Sequence, residues 1–351
     1  MSTSTDLLGD SCSDQSPQTT VLTDVSQVNG ETPFVFSFDP ADPIDSQATL
    51  TNAVLGQQVA LLDIDSNESG TTAFFAVGPS GAFGTPKPGN INVAYSVGLL
   101  QAGGGGIAWH NFSSLEAGGA FPGVLDYDGA VSVDESGAVW IIGTTDDGST
   151  QRAFVQYRQP NGTIGLTWVG DSGSRGKAID VRDGHVMAGI DITQPYDVEN
   201  GTITPSGPRD FVLLHFDAQT FINDAASPDW MYPDPGAAHD ATGDDTIKQI
   251  ELAELEGCGT VMYGLACLGG DCDAHDGGYA LLMAFDPTGR SLYWGRAIEP
   301  SEGSLVPRQM AVVSDGIWIG AELKGTAFGQ QSRMFGSGEL AGASWFLKFP
   351  R

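Results

Sequence analysis

The sequence predicts an all-β protein, a single β-propeller built from four-stranded antiparallel blades. The first observation is the scatter of 48 glycines and 19 prolines through 351 residues, which is typical of many short strands joined by turns. The second is a repeat: apolar strands with an aromatic residue near their end recur at spacings of 57, 62, 59, 69 and 64 residues. These aromatic residues are Phe38, Tyr95, Tyr157, Phe216, Phe285 and Phe349. Repeated sheets arranged radially leave short, protected edges, which favours a propeller.

Each repeat can be divided into four strands. The clearest unit has predicted strands at 130–136, 138–145, 152–159 and 165–171. Six aromatic anchors predict six blades, with seven as the alternative. Because the last repeat stops after its third strand, we expect the termini to close the ring, with a flexible tail at 1–17 and the propeller at 18–351. A tryptophan recurs in the fourth strand, and we expect it to fill the space between neighbouring sheets: Trp109, Trp168, Trp230 and Trp294.

The stretch "VDESGAVWIIGTTDDGSTQRAFVQY" resembles the repeat of bacterial secreted and surface β-propeller proteins of the SBBP type, in which D-x-x-G precedes V-x-x-x-G-x-T and a later A-F-V. The matching residues are Asp134, Gly137, Val139, Gly143, Thr145 and Ala153 to Val155. The resemblance implies a secreted or surface-attached bacterial protein, often with seven blades. It brings no catalytic residues with it.

Charge and hydropathy exclude several classes of function. The net charge is −29, from 44 acidic and 15 basic residues, which excludes nucleic acid and anionic membrane surfaces as partners because both bind clustered Lys and Arg. No run of 18 apolar residues is present, so the sequence predicts no transmembrane segment. We expect an extracellular or cell-surface location, with the signal peptide removed before this numbering begins.

The four cysteines predict two disulfides. Cys267 and Cys272 flank the short loop "CLGGDC" and can pair locally, which leaves Cys12 to pair with Cys258. Unpaired buried thiols are one alternative. The other is a zinc site formed by Cys258, Cys267, Cys272 and His275, although the usual C-x-x-C spacing is missing.

The sequence establishes no cofactor, but two acidic loops are candidate calcium sites. "DIDSNESG" places Asp63, Asp65 and Asn67 at alternating positions, as in the first half of a calcium loop, but it also has the composition of a plain turn, which we favour. For "GGDCDAHDGG" the two interpretations are nearly balanced, and the candidate ligands are Asp271, Asp273, His275 and Asp276.

Carboxylates on the first strands of the blades offer an enzymatic alternative. A polysaccharide hydrolase or lyase would use a pair of them at the central channel, and the candidates are Asp63, Asp134, Asp180 and Glu251. The "GDSG" segment at 170–173 matches a serine-protease nucleophile motif, but no matching histidine segment accompanies it, so we interpret it as a strand connection.

The favoured hypothesis is a non-catalytic binding or structural module that recognises a carbohydrate or a protein through its loops. The loops that differ most in length are 194–209, 218–246 and 325–342, and such loops on a rigid scaffold are common recognition sites. Their candidate ligand residues are Tyr196, Trp230, Tyr232 and Asp234.

Overall fold

The protein is all-β with one short helix in this computed structural model. The structure describes residues 21–22, 35–37, 49–51, 60–78, 94–100, 107–116, 128–146, 150–198, 201–224, 227–233, 243–255, 259–270, 272, 278–288, 291–299, 303–313, 316–324 and 343–349. These residues belong to two compact units. The first unit comprises the described part of Gln18–Ala188 together with Phe216–Ser227, and the second comprises that of Gly189–His215 and Pro228–Arg351.

The first half of the chain forms one small sheet and two four-stranded antiparallel blades. The small sheet has the order β1 (Val21–Leu22), β2 (Val35–Ser37), β3 (Thr49–Thr51). One blade contains β4 (Ala60–Ser66), β5 (Thr72–Gly78), β6 (Ala94–Leu100) and β7 (Ile107–Glu116). The next contains β8 (Gly129–Val133), β9 (Val139–Asp146), β10 (Gln151–Arg158) and β11 (Ile164–Ser172).

Three further blades follow. One has the order β12 (Ser174–Arg182), β13 (His185–Ile192), β16 (Asp210–Asp217), β17 (Trp230–Tyr232), and its connections carry the hairpin β14 (Tyr196–Val198), β15 (Gly201–Ile203) and helix α1 (Ala218–Asp224). The next contains β18 (Thr246–Leu255), β19 (Gly259–Leu268), β20 (Tyr279–Asp286) and β21 (Ser291–Ile298). The last contains β22 (Ser304–Val313), β23 (Gly316–Lys324) and β24 (Ala343–Phe349).

The fold is therefore a β-propeller with five blades, which corrects the prediction of six or seven. The miscount comes from the first repeat, where the described residues form only the two- and three-residue strands of the small β1-β2-β3 sheet. Four blades have four strands, and the last has three among the residues that the structure describes. Closure of the ring by the termini and the tail at 1–17 lie outside the described residues.

The turns between the first two strands of a blade explain why Asp, Asn and Gly recur there. In β8–β9 the Gly137 N–H donates to the Asp134 carbonyl, and the Asp134 carboxylate accepts the Ser136 and Ala138 N–H groups. Gly137 has φ +81°, a conformation that a residue with a Cβ rarely adopts. The β4–β5 turn repeats this geometry with Asn67, whose side-chain oxygen accepts the Thr71 N–H. This is local turn chemistry of the kind predicted for D-x-x-G.

Apolar side chains of neighbouring blades share one core within each unit. In the first unit, Phe75 and Val97 of one blade pack in a buried cluster with Val131 and Ile141 of the next. In the second unit, residues of β18–β20 pack in the same way with residues of β22 and β23. Burial of these faces is the main term that stabilises the sheets against one another.

Three of the four recurrent tryptophans link neighbouring blades, as predicted, whereas Trp294 contacts Tyr263 of its own blade, with ring centroids 6.4 Å apart. The Trp109 indole N–H donates to the Pro160 carbonyl in the turn after β10, at 2.7 Å from nitrogen to oxygen. The Trp230 indole N–H likewise donates to the Pro287 carbonyl after β20, at 3.0 Å. Trp168 packs edge-on against Phe216, with ring centroids 5.5 Å apart. These indoles are therefore structural.

Candidate functional site

The first strands of three blades bring several predicted carboxylates together in the first unit. Asp63 and Asp65 lie on β4, and Asp180 lies on β12. Between them runs β8, whose backbone amides are bound by the β4 side chains. The Val131 N–H donates to Asp63 Oδ2 at 2.9 Å. The Val133 N–H donates to Asp65 Oδ2 at 2.8 Å. Two carboxylates spaced two residues apart thus satisfy two amides spaced two residues apart on the adjacent blade.

The buried hydroxyl of Ser132 connects two of these carboxylates. Ser132 Oγ lies 3.1 Å from Asp65 Oδ2 and 2.8 Å from Asp180 Oδ1. The Val181 N–H donates to the same Oγ at 3.2 Å and to Asp180 Oδ1 at 2.8 Å. This arrangement forms the carboxylate cluster, which we define as Asp63, Asp65, Ser132 and Asp180. Sequence reasoning identified its acidic members but missed the serine, because a single Ser on a strand carries no signal by itself.

Burial makes the carboxylate cluster unusually basic. Burial raises the pKa of Asp63 to about 7, although the N–H groups of Val131 and Ile64 oppose the rise. Burial raises the pKa of Asp65 to about 6, and the nearby charge of Asp180 adds to the rise. Removing a carboxylate from water and placing it beside another both favour the neutral acid. The cluster therefore exchanges protons near neutral pH.

In the second unit, different residues make the same kind of hydrogen bond between first strands of neighbouring blades. Gln249 and Glu251 stand two residues apart on β18, and their side chains accept the Met310 and Val312 N–H groups of β22 at 2.5 and 2.6 Å. The Gln249 amide also donates to the Glu251 carboxylate at 2.9 Å. The shared sequence signal is a polar residue on each side of one apolar residue in the first strand, D-I-D in β4 and Q-I-E in β18. Such a pair is recognisable only after the repeats have been aligned.

The remaining predicted carboxylates do not join the cluster. Asp134 organises the β8–β9 turn, where its Oδ1 also accepts the Ser136 hydroxyl at 2.6 Å. Glu251 belongs to the second unit. The "GDSG" segment forms the connection from β11 to β12, with the Gly173 N–H donating to the Gln151 carbonyl at 2.8 Å, which agrees with its interpretation as a strand connection.

Of the two calcium hypotheses, only the one for Asp63, Asp65 and Asn67 concerns described residues. The Asn67 side chain is engaged by the Thr71 N–H, the Ser69 hydroxyl and the Asp134 carbonyl, so it serves the turn while Asp63 and Asp65 face β8. Within the described ranges, no group of three or more His, Cys, Asp or Glu side chains is placed to hold a metal ion. The second set of candidate ligands lies outside the described residues: Asp271, Asp273, His275 and Asp276.

The predicted disulfide between Cys267 and Cys272 is confirmed, with a Cα–Cα distance of 6.1 Å. This bond contradicts the alternative of unpaired thiols for these two residues. It also contradicts the zinc hypothesis, which requires both sulfurs as thiolates. Cys12 and Cys258 lie outside the described residues.

Two of the four predicted ligand residues are buried. Tyr196 on β14 is 2% exposed and Trp230 on β17 is 9% exposed, so both belong to the core. Tyr232 is partly buried and packs edge-on against Phe285, with centroids 4.8 Å apart. Asp234 lies outside the described residues. Aromatic residues in long connections were expected to face solvent, but Tyr196 and Trp230 are buried.

Large apolar side chains are instead exposed on fourth strands. Leu292 and Tyr293 of β21 are 44% and 40% exposed, and every other residue of that strand except Ile298 is partly or fully exposed as well. Ile164 and Val169 of β11 are exposed to a similar extent, at 39% and 41%. The fourth strand of a blade is bonded to one neighbour only, so its outer side is accessible to another molecule.

A second acidic group in the second unit was not predicted. The Arg209 guanidinium forms a bidentate pair with Asp244, with N···O distances of 2.8 and 2.6 Å, and lies 3.6 Å from buried Asp191. Asp210 and Asp245 are completely buried beside this pair. Burial raises the pKa of Asp245 to about 6, helped by the charges of Asp210, Asp244 and Asp191. A parallel bridge between Arg209 and Asp244 joins two distant segments, so no local pattern could reveal this group.

The described part of the chain contains no helix long and apolar enough to cross a membrane.

No protein-family model and no curated protein matches the chain. The resemblance to SBBP-type repeat proteins therefore stays a prediction beyond the propeller fold itself.

Several solved structures are similar to the chain at low identity. A protein of unknown function from Bacteroides caccae is 10% identical with a TM-score of 0.41, over 85% of this chain and 81% of that one. Trypanosoma rangeli sialidase in complex with the inhibitor DANA is 10% identical with a TM-score of 0.46, over 93% of this chain. The chain spans only 51% of that sialidase. An N-acetylgalactosamine deacetylase from F. plautii is 11% identical with a TM-score of 0.36, over 85% of this chain and 90% of that one. Similarities this distant carry no conclusion about activity.

Proposed function

We propose that the protein is a non-catalytic β-propeller module that binds a carbohydrate or protein ligand outside the cytoplasm. The observation that carries this proposal is the use of the first-strand carboxylates. Asp63, Asp65 and Glu251 each accept a backbone N–H from the adjacent blade. A carboxylate committed to a buried amide loses an oxygen lone pair that a substrate or a water nucleophile would need. These acids are therefore better suited to joining blades than to catalysis.

The location outside the cytoplasm is supported by the Cys267–Cys272 disulfide. Structural disulfides persist in oxidising compartments and are rare in reducing ones. The net charge of −29 keeps such a protein soluble and directs its binding away from nucleic acid. Exposed Leu292 and Tyr293 on β21 supply the apolar surface that binding requires, since an aromatic ring can stack on a sugar or be buried against a protein.

A glycan array and a binding assay against candidate surface proteins test this proposal. We expect wild-type protein to bind a ligand and the double variant Leu292→Ser, Tyr293→Ser to lose at least tenfold in affinity. The matched control is Ile164→Ser, Val169→Ser, which removes equally exposed side chains from another fourth strand. Equal loss in both double variants, or none in the first, would place recognition elsewhere.

A polysaccharide hydrolase or lyase is the second candidate, and the raised pKa values favour it. Glycosidases need one protonated and one ionised carboxyl group near neutral pH, separated by roughly 5 to 10 Å. Because one oxygen of each contacts Ser132 Oγ, the Asp65 and Asp180 carboxyl groups lie close together, with these oxygens at most about 6 Å apart. A turnover screen on polysaccharides decides the matter: cleavage by wild type that disappears in Asp65→Asn, with binding retained, would establish an enzyme.

A further inference from the structure

In its fully ionised form, the carboxylate cluster has more hydrogen-bond acceptors around Ser132 than hydrogen atoms to donate to them. Ser132 Oγ contacts oxygens of both Asp65 and Asp180, but a serine hydroxyl has one hydrogen and can donate to one of them. If both carboxyl groups were ionised, the second contact would place a lone pair of Ser132 Oγ against a lone pair of a carboxylate oxygen. In the interior such a contact between a charged oxygen and an unshared hydroxyl oxygen is strongly unfavourable.

From this hydrogen count we infer that Asp65 and Asp180 hold one proton between them through the Ser132 hydroxyl. Asp65 Oδ2–H donates to Ser132 Oγ, and Ser132 Oγ–H donates to Asp180 Oδ1. The second lone pair of Oγ accepts the Val181 N–H. The hydroxyl then donates once and accepts twice, which uses its whole bonding capacity. The proton is released to solvent when the pair becomes fully ionised.

The surrounding charges favour retention of this proton. The charge of Asp180 lies across the Ser132 hydroxyl from Asp65 and favours the neutral form of Asp65. Each of the three cations of β12 has another partner: Arg175 donates to Gln151 Oε1 at 2.7 Å, Lys177 pairs with Asp128, and Arg182 pairs with Glu68 at 2.8 Å. Strands β5 and β8 carry no ionisable side chain, and β9 carries only Asp146 at its end.

The proton has a structural consequence. The chain of hydrogen bonds runs from β4 through β8 to β12, so one proton links the first strands of three successive blades. Loss of the proton removes one of the two side-chain bonds and leaves two negative charges facing the same hydroxyl. We therefore expect the first unit to loosen as the pH rises through the titration of the pair, which makes this cluster a pH-sensitive clamp.

The carboxyl ¹³C resonance of Asp65 reports the proton directly, and its signal is assigned by its absence from Asp65→Asn. We expect a titration midpoint near 6, well above the ordinary aspartate value of 3.8. Asp180→Asn removes the neighbouring charge and should lower that midpoint by about one pH unit. Asp183→Asn is the control, because it removes an exposed charge one residue beyond β12 and should leave the midpoint unchanged. A midpoint at or below about 4, or one that does not respond to Asp180→Asn, overturns the inference.

Thermal unfolding of Asp65→Asn provides a second readout. Asp65→Asn carries no charge at any pH, so it cannot place a second negative charge against Ser132 Oγ; its oxygen can take the position of Oδ2, which accepts the Val133 N–H and contacts Ser132 Oγ. We expect this variant to lose less stability than wild type between pH 5 and pH 8, because the wild type gives up its shared proton over that interval. An equal loss of stability in both proteins over that interval would contradict the shared proton.

Discussion

Replacing Glu251 by alanine tests whether first-strand carboxylates hold neighbouring blades together. The Glu251 carboxylate accepts the Val312 N–H of β22 at 2.6 Å and the Gln249 side-chain amide at 2.9 Å. Glu251→Ala leaves both donors without this acceptor. A buried donor without a partner costs about 1–3 kcal/mol, and because this site is partly buried we take the lower half of that range for each. The expected loss is about 2–4 kcal/mol in the free energy of unfolding.

The assay is urea unfolding followed by tryptophan fluorescence, with Glu322→Ala as the matched control. Glu322 pairs with Arg308 across two strands of the same unit, at 3.0 Å, but both side chains are 41% exposed. Exposed ion pairs contribute at most about 1 kcal/mol. Equal destabilisation by Glu251→Ala and Glu322→Ala would refute the reasoning, because it would mean that the contact with β22 contributes no more than a surface pair.

Three further predictions concern the tryptophan links, the disulfide and the pH dependence. Trp230→Phe should cost about 2–3 kcal/mol and Trp109→Phe less in urea unfolding, because the indole hydrogen bond of Trp230 is buried and that of Trp109 is exposed. Cys267→Ser should lower the free energy of unfolding by about 2 kcal/mol, the value for a short closed loop, and reductant should have little further effect on its melting temperature. The raised pKa of Asp63 means that the folded state binds a proton more tightly than the unfolded chain, so stability is highest below pH 4 for this group and is lost as the pH rises through about 7. Asp63→Asn should reduce the loss of folding stability between pH 4 and pH 8 by up to about 4 kcal/mol. An unchanged pH profile of the melting temperature would contradict the raised pKa of Asp63.

Local patterns in the sequence predicted the strands of the best repeat closely. The predicted strands 130–136, 138–145, 152–159 and 165–171 correspond to β8, β9, β10 and β11, whose boundaries differ by at most three residues. Alternation of apolar residues and D-x-x-G turn chemistry are local properties, so a single sequence is enough to predict strands from them. The number of blades is not local: the spacing of the aromatic residues counts repeats, but it does not show whether a repeat completes a sheet.

The candidate site was predictable only in part for a similar reason. Asp63 and Asp180 stood out as acids on first strands, and the structure brings them together in the carboxylate cluster. Ser132 became significant only through the two carboxylates that it contacts from different blades. Asp245 and its neighbours come from segments separated by long connections, and tertiary contact alone creates their group.

Tyr196 was predicted to contact a ligand, but the structure buries it. The segment 194–209 was interpreted as a recognition loop, but part of it forms the hairpin β14–β15, which buries this aromatic side chain. A hairpin with three-residue strands has too few alternating positions to be recognised from its pattern.

Amide hydrogen exchange at Val131, Val133 and Val312 is the most direct test of the central claim that first-strand side chains join each blade to the next. If Asp63, Asp65 and Glu251 accept these N–H groups, exchange should be slow at all three amides in the wild type and should accelerate at Val312 in Glu251→Ala. Exchange at these amides as fast as in the unfolded chain would show that the carboxylates are not engaged with the adjacent strands.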